Sequence, residues 1–428
     1  MSAAPAAGGI FPYTTHTFTL GNGLKVIMIP MSSGGLMSYY SIVRTGSRDE
    51  FEAGKTGFAH FVEHMMFRGT KNFPAKIYDR MVTEMGADAN AYTTDDYTAY
   101  HLTFAAEDLE TVIKLESDRF QFLDYEEEAF QTEAGAVYGE YRKNRSNPWE
   151  VLFESLQQTA FTTHTYGHTT MGYEADIKAM PTLFEYSKEF FSRYYRPENV
   201  VLLLTGDFDV DDARELIERY YGSWEKGYVA PQIPSEPRQQ QEKRVNVVYD
   251  GETLPLLVVG YKGAAFKPKD RRTVAGYLLE DLLFGETSAL YKDLVLKRQL
   301  VQYISAGFDR NRDPGLWNVY AMVKKQGDVP LVLREIDKTV EHWQKTLVGK
   351  DELAKLKKRL RYQFLMNLDT PDKVAGRLAR YVALTGGITA IDALYATIDA
   401  ITPEDVRDAA QYWLVKNQRT VATLKGRK

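Results

Sequence analysis

The chain contains no cysteine among its 428 residues. Disulfides, thiolate metal sites and cysteine nucleophiles are therefore excluded, and any metal must be held by His, Asp, Glu, water or backbone carbonyls. Histidine is scarce as well, with seven residues, so each one is a candidate ligand. No apolar run reaches the roughly 18–20 residues that span a bilayer, and no charged-then-apolar export signal opens the chain, so no membrane span is expected. An excess of positive charge is also lacking. With 53 Lys and Arg against 58 Asp and Glu, the formal net charge is −5, which provides no polycationic face and leads us to expect no nucleic-acid partner. The first residues, MSAAPAAGG, read as a flexible leader that suits either a cytosolic start or a mature exported protein with an added Met. The missing cysteines lean the expectation toward an oxidising compartment such as the periplasm.

What is present describes an ordinary globular protein, 44% hydrophobic and 26% charged, long enough for two domains. Residues 224–243 hold Pro231, Pro234 and Pro237 in a polar run with little to bury and read as a linker. This sets an N-terminal domain at 1–223 and a C-terminal domain at 244–428. In the first, residues 15–29 form two extended runs around Gly21-Asn22-Gly23, 37–45 a further strand, and 88–104 a strand pair; helical spacing marks 76–85, 107–123, 126–145 and 182–195. The second repeats the outline, with strands at 244–250, 255–262, 301–309 and 315–324 and a helix at 269–284. An internal repeat supports it: Thr182–Gly206 aligns with Thr402–Gly426 at a constant offset, and 57–67 aligns more faintly with 274–284, pairing Glu63 with Glu280, His60 with Tyr277 and His64 with Asp281. The expected fold class is α+β, two similar tandem domains, each a mainly antiparallel sheet packed with helices, the second without metal ligands.

The chemistry concentrates in GFAHFVEHMMFRGT, residues 57–70. At helical pitch His60 and His64 lie one turn apart on one face, so two imidazoles can converge on one ion, with Glu63 beside them. The order H-x-x-E-H reverses the commoner H-E-x-x-H, and both set a carboxylate next to a histidine pair. A catalytic zinc site wants a third protein ligand. The helix at 126–145 offers several carboxylates, among them Glu133 and Glu140, nearly two turns apart on one face, and Glu140 is the candidate. His164 and His168 sit in turn chemistry without a matching carboxylate, while His16, His101 and His342 stand alone; all five are read as structural.

With these residues assembled, the chain resembles the pitrilysin-type zinc metallopeptidases, or inverzincins, and most of all their half-length branch, which includes the mitochondrial processing peptidase subunits. The likeness runs over nearly the whole chain: the NGLKV opening, Gly46-Ser47 with a following Glu, the 57–70 motif, Gly86 to Asn90-Ala91-Tyr92-Thr93, Tyr166-Gly167, Pro197 with Asn199, and TGDFD. The resemblance implies one zinc ion per chain held by His60, His64 and Glu140, with Glu63 as general base and Glu133 as a supporting glutamate that does not bind zinc. It implies that Asn90, Ala91, Tyr92 and Thr93 form an edge strand to which an extended peptide substrate adds. The implied activity is a zinc endopeptidase that hydrolyses peptides or unfolded segments inside a closed dimer chamber. The sequence departs from the family at LVLKRQLVQYISAG (294–307), where relatives carry an Arg followed seven residues later by a Tyr. Those positions fall here on Val295 and Gln302, or on Leu296 if Tyr303 is taken as the Tyr; Arg298 lies too close to Tyr303 to complete the pair. The expectation is therefore the zinc-bearing subunit of a heterodimer, whose partner lacks zinc ligands and supplies the Arg/Tyr pair. A self-sufficient homodimeric peptidase and a non-catalytic assembly subunit are the alternatives.

Overall fold

A computed structural model describes residues 9–427 together with the backbone of Ser2 and Ala3. Of the expected leader, Met1 and residues 4–8 lie outside the described residues. The chain divides into two compact α+β units.

The first unit holds residues up to Tyr141, Thr169–Ile233 and Gln363–Asp392. Its strands are β1 (Ser2–Ala3), β2 (Thr15–Thr19), β3 (Lys25–Pro30), β4 (Leu36–Val43), β5 (Asp88–Thr93), β6 (Thr98–Ala105) and β7 (Val200–Gly206). Among the described residues they form one sheet in the order β1-β2-β3-β7-β4-β6-β5, antiparallel except for the parallel β3–β7 pair. Period-two alternation sends Val26 and Met28 of β3, Tyr39 and Val43 of β4, and Leu202 and Leu204 of β7 into one core. There they meet the helices α1 (Phe58–Met65), α3 (Leu109–Phe122) and α4 (Glu127–Asn144); α2 (Ala75–Glu84) is the more exposed element between them.

The second unit holds Arg142–His168, Pro234–Tyr362 and Ala393–Lys428. Its strands β8 (Lys243–Tyr249), β9 (Leu256–Lys262), β10 (Val301–Phe308), β11 (Leu316–Val323) and β12 (Arg419–Gly426) are ordered β10-β11-β9-β12-β8. Strand for strand this is the β5-β6-β4-β7-β3 part of the first sheet. The directions agree too, including one parallel pair, β8 with β12. The sequence repeat thus corresponds to a repeated sheet topology.

The units do not follow the expected 1–223 and 244–428 division in two places. Residues 142–168 carry α5 (Pro148–Ala160) into the second unit, where Leu152, Leu156 and Ala160 pack with Val258, Ala422 and Leu424. Lys243 and Lys262 place their ammonium groups on the carbonyls of Thr159 and Ala160, at 2.9 and 2.7 Å, where the helix dipole favours cations. Conversely, the helix Pro371–Thr385 belongs to the first unit: Tyr40 donates to Asp372 (3.0 Å), Thr205 to the Pro371 carbonyl (2.8 Å) and Arg44 to the Ala383 carbonyl (2.8 Å). The physical reason is the second face of each sheet. β7 is buried at every position, so both of its faces need cover, and the helix that covers the face away from the core comes from the other half of the sequence.

Among the described residues no single helix is long and apolar enough to cross a membrane.

Candidate metal centre

Helix α1 turns Phe58, Ala59, Phe61, Val62 and Met65 into the core and leaves His60, Glu63 and His64 on its opposite face. Its start is built from elsewhere, because Gly57 at the N-cap has no side chain to offer. Glu50 is buried beneath the helix N-terminus and accepts the N–H groups of Gly57 and Ala59, both at 2.7 Å, while Asp176 accepts the N–H (3.2 Å) and hydroxyl (2.7 Å) of Thr56. Burial pushes the Glu50 carboxyl well above the usual range, and the two N–H groups oppose that push. Gly57 itself sits at φ 90°, and a Cβ there would meet the Met171 carbonyl oxygen at 2.7 Å, so only glycine admits this entry.

The facing helix is α4, which buries Phe130, Ala134, Val137 and Tyr141 and thereby directs Glu133 and Glu140 toward α1. Three atoms converge: the Nε2 atoms of His60 and His64 are 3.2 Å apart, and Oε2 of Glu140 is 3.8 Å from the first and 3.4 Å from the second. Four ligands arranged tetrahedrally around zinc, at bonds of about 2.0–2.1 Å, would stand about 3.3 Å from each other. The observed separations match that spacing. No other group of three such residues among the described residues is close enough to share an ion.

The chemistry of the donors agrees. Glu133, 4% exposed, accepts from His64 Nδ1 at 2.8 Å and pairs through its other oxygen with Arg68. A carboxylate only accepts, so His64 donates from Nδ1 and keeps the Nε2 lone pair for the cluster. The Glu133 bond raises the His64 pKa, and His64 together with Arg68 lowers that of Glu133. Burial, then the neighbouring His64, pushes His60 down to about 4, which keeps its imidazole neutral and fit to ligate. Two lone pairs and a carboxylate oxygen facing one another suit a shared cation, and the residues present fit zinc. The Nδ1 atom of His60 is buried without a partner among the described residues, so the outer support falls on His64 alone.

Glu63 lies alongside. Burial raises its pKa, and the Thr93 hydroxyl, which donates to Oε2 at 2.5 Å, opposes the shift. Thr93 ends β5, which among the described residues pairs on one side only, with β6. On that strand Ala89 and Ala91 pack toward the core with Thr93, whereas Asn90 and Tyr92 occupy the alternate face. The Ala91 N–H is taken by the Asn90 side-chain oxygen at 2.8 Å, and the Tyr92 hydroxyl approaches Tyr97 at 3.5 Å.

The structure thus brings His60, His64, Glu140, Glu133 and Glu63 together, with Thr93 in contact and Asn90, Ala91 and Tyr92 along the same strand. Sequence reasoning missed Glu50, Arg68 and the Thr93–Glu63 bond. Glu50 follows Gly46-Ser47 in the family motif, but nothing local gives it a role, and nothing local marks the other two. Of the remaining histidines, His164 and His101 have other partners. His164 approaches Asp313 at 3.1 Å and accepts from the Tyr166 N–H, and His101 stacks on Tyr40 with ring centroids 4.8 Å apart. At the departure from the family pattern, Arg298 is held by Asp293 and by Glu335 at 3.4 Å, next to Gln299 at φ 51° and after a π-helical turn at Lys292–Lys297.

A duplicated α+β architecture with an H-x-x-E-H helix and a distal glutamate in its first half defines the class of inverted-motif metallopeptidase folds. The comparisons agree. The family described as "Insulinase (Peptidase family M16)" matches residues 38–174, and the "Peptidase M16 inactive domain" matches residues 184–360. The chain is 31% identical to the zinc protease PqqE of Helicobacter pylori over 95% of its own length and 92% of the relative's. It is 27% identical to the mitochondrial-processing peptidase subunit beta of Bos taurus, over 96% and 84% of the two chains. Among solved structures, a protease from Helicobacter pylori superposes with a TM-score of 0.91 at 28% identity, covering 97% of this chain and 100% of that one. The chain belongs to the insulinase family, peptidase family M16, as one of its half-length members.

Proposed function

We propose that this chain is a zinc-dependent endopeptidase acting on peptides or unfolded segments, and specifically the zinc-bearing subunit of a heterodimer. The observation that carries the reading is the convergence of His60 Nε2, His64 Nε2 and Glu140 Oε2 at tetrahedral spacing with Glu63 beside them. His60, His64 and Glu140 would hold the ion, leaving a position for water. When bound, zinc supplies Lewis acidity that polarises a peptide carbonyl and acidifies water. Glu63 is the general base: it takes the proton of the attacking water and returns it to the leaving amine. Glu133 orients His64 and is itself held by Arg68. The unpaired edge of β5 at Asn90–Thr93 receives the substrate as an added strand, so backbone groups give the grip and side-chain pockets the selectivity. Pairing there displaces the Asn90 oxygen from the Ala91 N–H.

A tetrahedral oxyanion also needs donors from the protein. The Arg/Tyr pair of relatives has no equivalent at 294–307, and Arg298 is committed to Asp293 and Glu335. A partner subunit without zinc ligands supplies that pair in trans. The absence of cysteine supports placing the enzyme in an oxidising compartment, the periplasm.

The test is hydrolysis of an internally quenched peptide library by the chain alone and with its partner, against Glu63→Gln and metal-stripped controls. Activity that appears only with the partner and vanishes in both controls is expected. Full activity of the chain alone would overturn the heterodimer, and bound zinc with no cleavage under any condition would overturn the peptidase.

A further inference from the structure

The hydroxyl of Thr93 donates to Oε2 of Glu63 at 2.5 Å, across 30 positions of sequence. Three features make this more than a chance contact. A hydroxyl has one proton, and the carboxylate is the closest acceptor Thr93 has: its other contact, Thr98 Oγ1, is at 3.3 Å, and Thr98 donates in turn to the Thr45 carbonyl at 3.1 Å. The pleat of β5 directs Thr93, together with Ala89 and Ala91, toward the core and α1. Glu63 makes no other hydrogen bond among the described residues, so the rotamer of a half-buried carboxylate beside the His/His/Glu cluster rests on this single bond.

We infer that Thr93 is a positioning residue for Glu63: its hydroxyl fastens Oε2 to the end of the edge strand and leaves Oε1 as the oxygen that accepts the proton. The inference rests on the peptidase reading and deepens it. Glu133 on the facing helix is divided in the same way, with one oxygen on His64 and the other on Arg68, so each carboxylate of the site other than the ligand Glu140 has an oxygen pinned. Because Thr93 belongs to the strand proposed to receive the peptide, ordering that strand on substrate docking also orders the base. Peptides that pair fully along Asp88–Thr93 are thereby turned over faster than short ones that reach the centre without pairing.

The experiment uses the full chain with its partner and compares wild type, Thr93→Val, which keeps the shape and removes the hydroxyl, and Thr93→Ser, which restores it. Loss of a hydrogen bond to a charged group predicts that Thr93→Val lowers kcat about 10–100-fold with KM within about 3-fold of wild type, and that Thr93→Ser recovers to within about 3-fold. Zinc affinity, measured by competition with a chromophoric chelator, is expected to be the same in all three. A second readout is independent of turnover: in protein labelled with carbon-13 glutamate, the infrared carboxylate band that disappears in Glu63→Gln shifts in Thr93→Val and not in Thr93→Ser. Wild-type kcat in Thr93→Val, a Ser variant as slow as the Val variant, weakened zinc binding in Thr93→Val, or an unmoved infrared band would each overturn the inference. A wild-type complex that cleaves nothing would instead overturn the peptidase reading and the kinetic role of Thr93, while the infrared band still decides the contact.

Discussion

Glu280 is the residue that the internal repeat pairs with Glu63, and its surroundings predict a measurable pH dependence of stability. It lies on the helix Arg271–Phe284, with its side chain one-fifth exposed; Oε1 accepts the Phe308 N–H at 3.0 Å, and Arg310 is 3.8 Å away over the Tyr277 ring. Burial pushes its carboxyl from an ordinary 4.5 up to about 7; Arg310 and the Phe308 N–H oppose the shift, whereas Asp281 and Asp309 add to it. A carboxyl whose pKa rises on folding keeps a proton that the unfolded chain has lost. Its contribution to stability is therefore fully present below about pH 4.5 and is lost as the pH rises to about 7. A shift of roughly 2.5 units at ~1.4 kcal/mol each gives a total loss of about 3.5 kcal/mol. Glu280→Gln removes the titration while its amide oxygen still accepts from Phe308, and Arg310, more than a third exposed, keeps its hydration. The assay is denaturant unfolding of both proteins from pH 5 to pH 8. The variant should gain on wild type by about 2–3 kcal/mol across that range, with most of the change before pH 7. A difference that stays constant with pH, or that moves in favour of wild type, would refute the argument that burial outweighs Arg310.

Two further perturbations address the metal centre. Glu133→Gln replaces an acceptor-only carboxylate that serves both His64 and Arg68 with an amide that cannot accept from both, and zinc affinity by chelator competition should fall about 10–100-fold with little change in melting temperature; unchanged affinity would remove Glu133 from the site. Gly57→Ala forces a left-handed φ of 90° on a residue with a Cβ and drives that Cβ toward the Met171 carbonyl, so a loss of at least 1–2 kcal/mol is expected, roughly, in thermal unfolding, along with weaker zinc binding as α1 shifts. An unaltered melting curve would contradict the clash.

The sequence by itself determined what is local or periodic. The i, i+4 spacing of His60 and His64 places both imidazoles on one helical face wherever that helix lies, and period-two alternation marks a strand such as β8, whose residues alternate between half-buried and exposed, whereas the fully buried β7 shows only as a continuous apolar run. The constant offset between Thr182–Gly206 and Thr402–Gly426 announced a duplication, which the second sheet and the β5-β6-β4-β7-β3 part of the first repeat in order and direction. Only the tertiary structure decided what depends on two distant segments meeting. Among the carboxylates of 126–145, it is the packing of Phe130, Val137 and Tyr141 that aims Glu133 and Glu140 at α1 and leaves Glu127 and Glu128 in solvent. The exchanged helices at 148–160 and 371–385 each carry an apolar stripe, but a stripe carries no address, and either sheet face would satisfy it. Glu50 beneath Gly57, Arg68 on Glu133 and Thr93 on Glu63 are single polar contacts between elements, with no periodicity to betray them; the fold alone brings each donor to its acceptor.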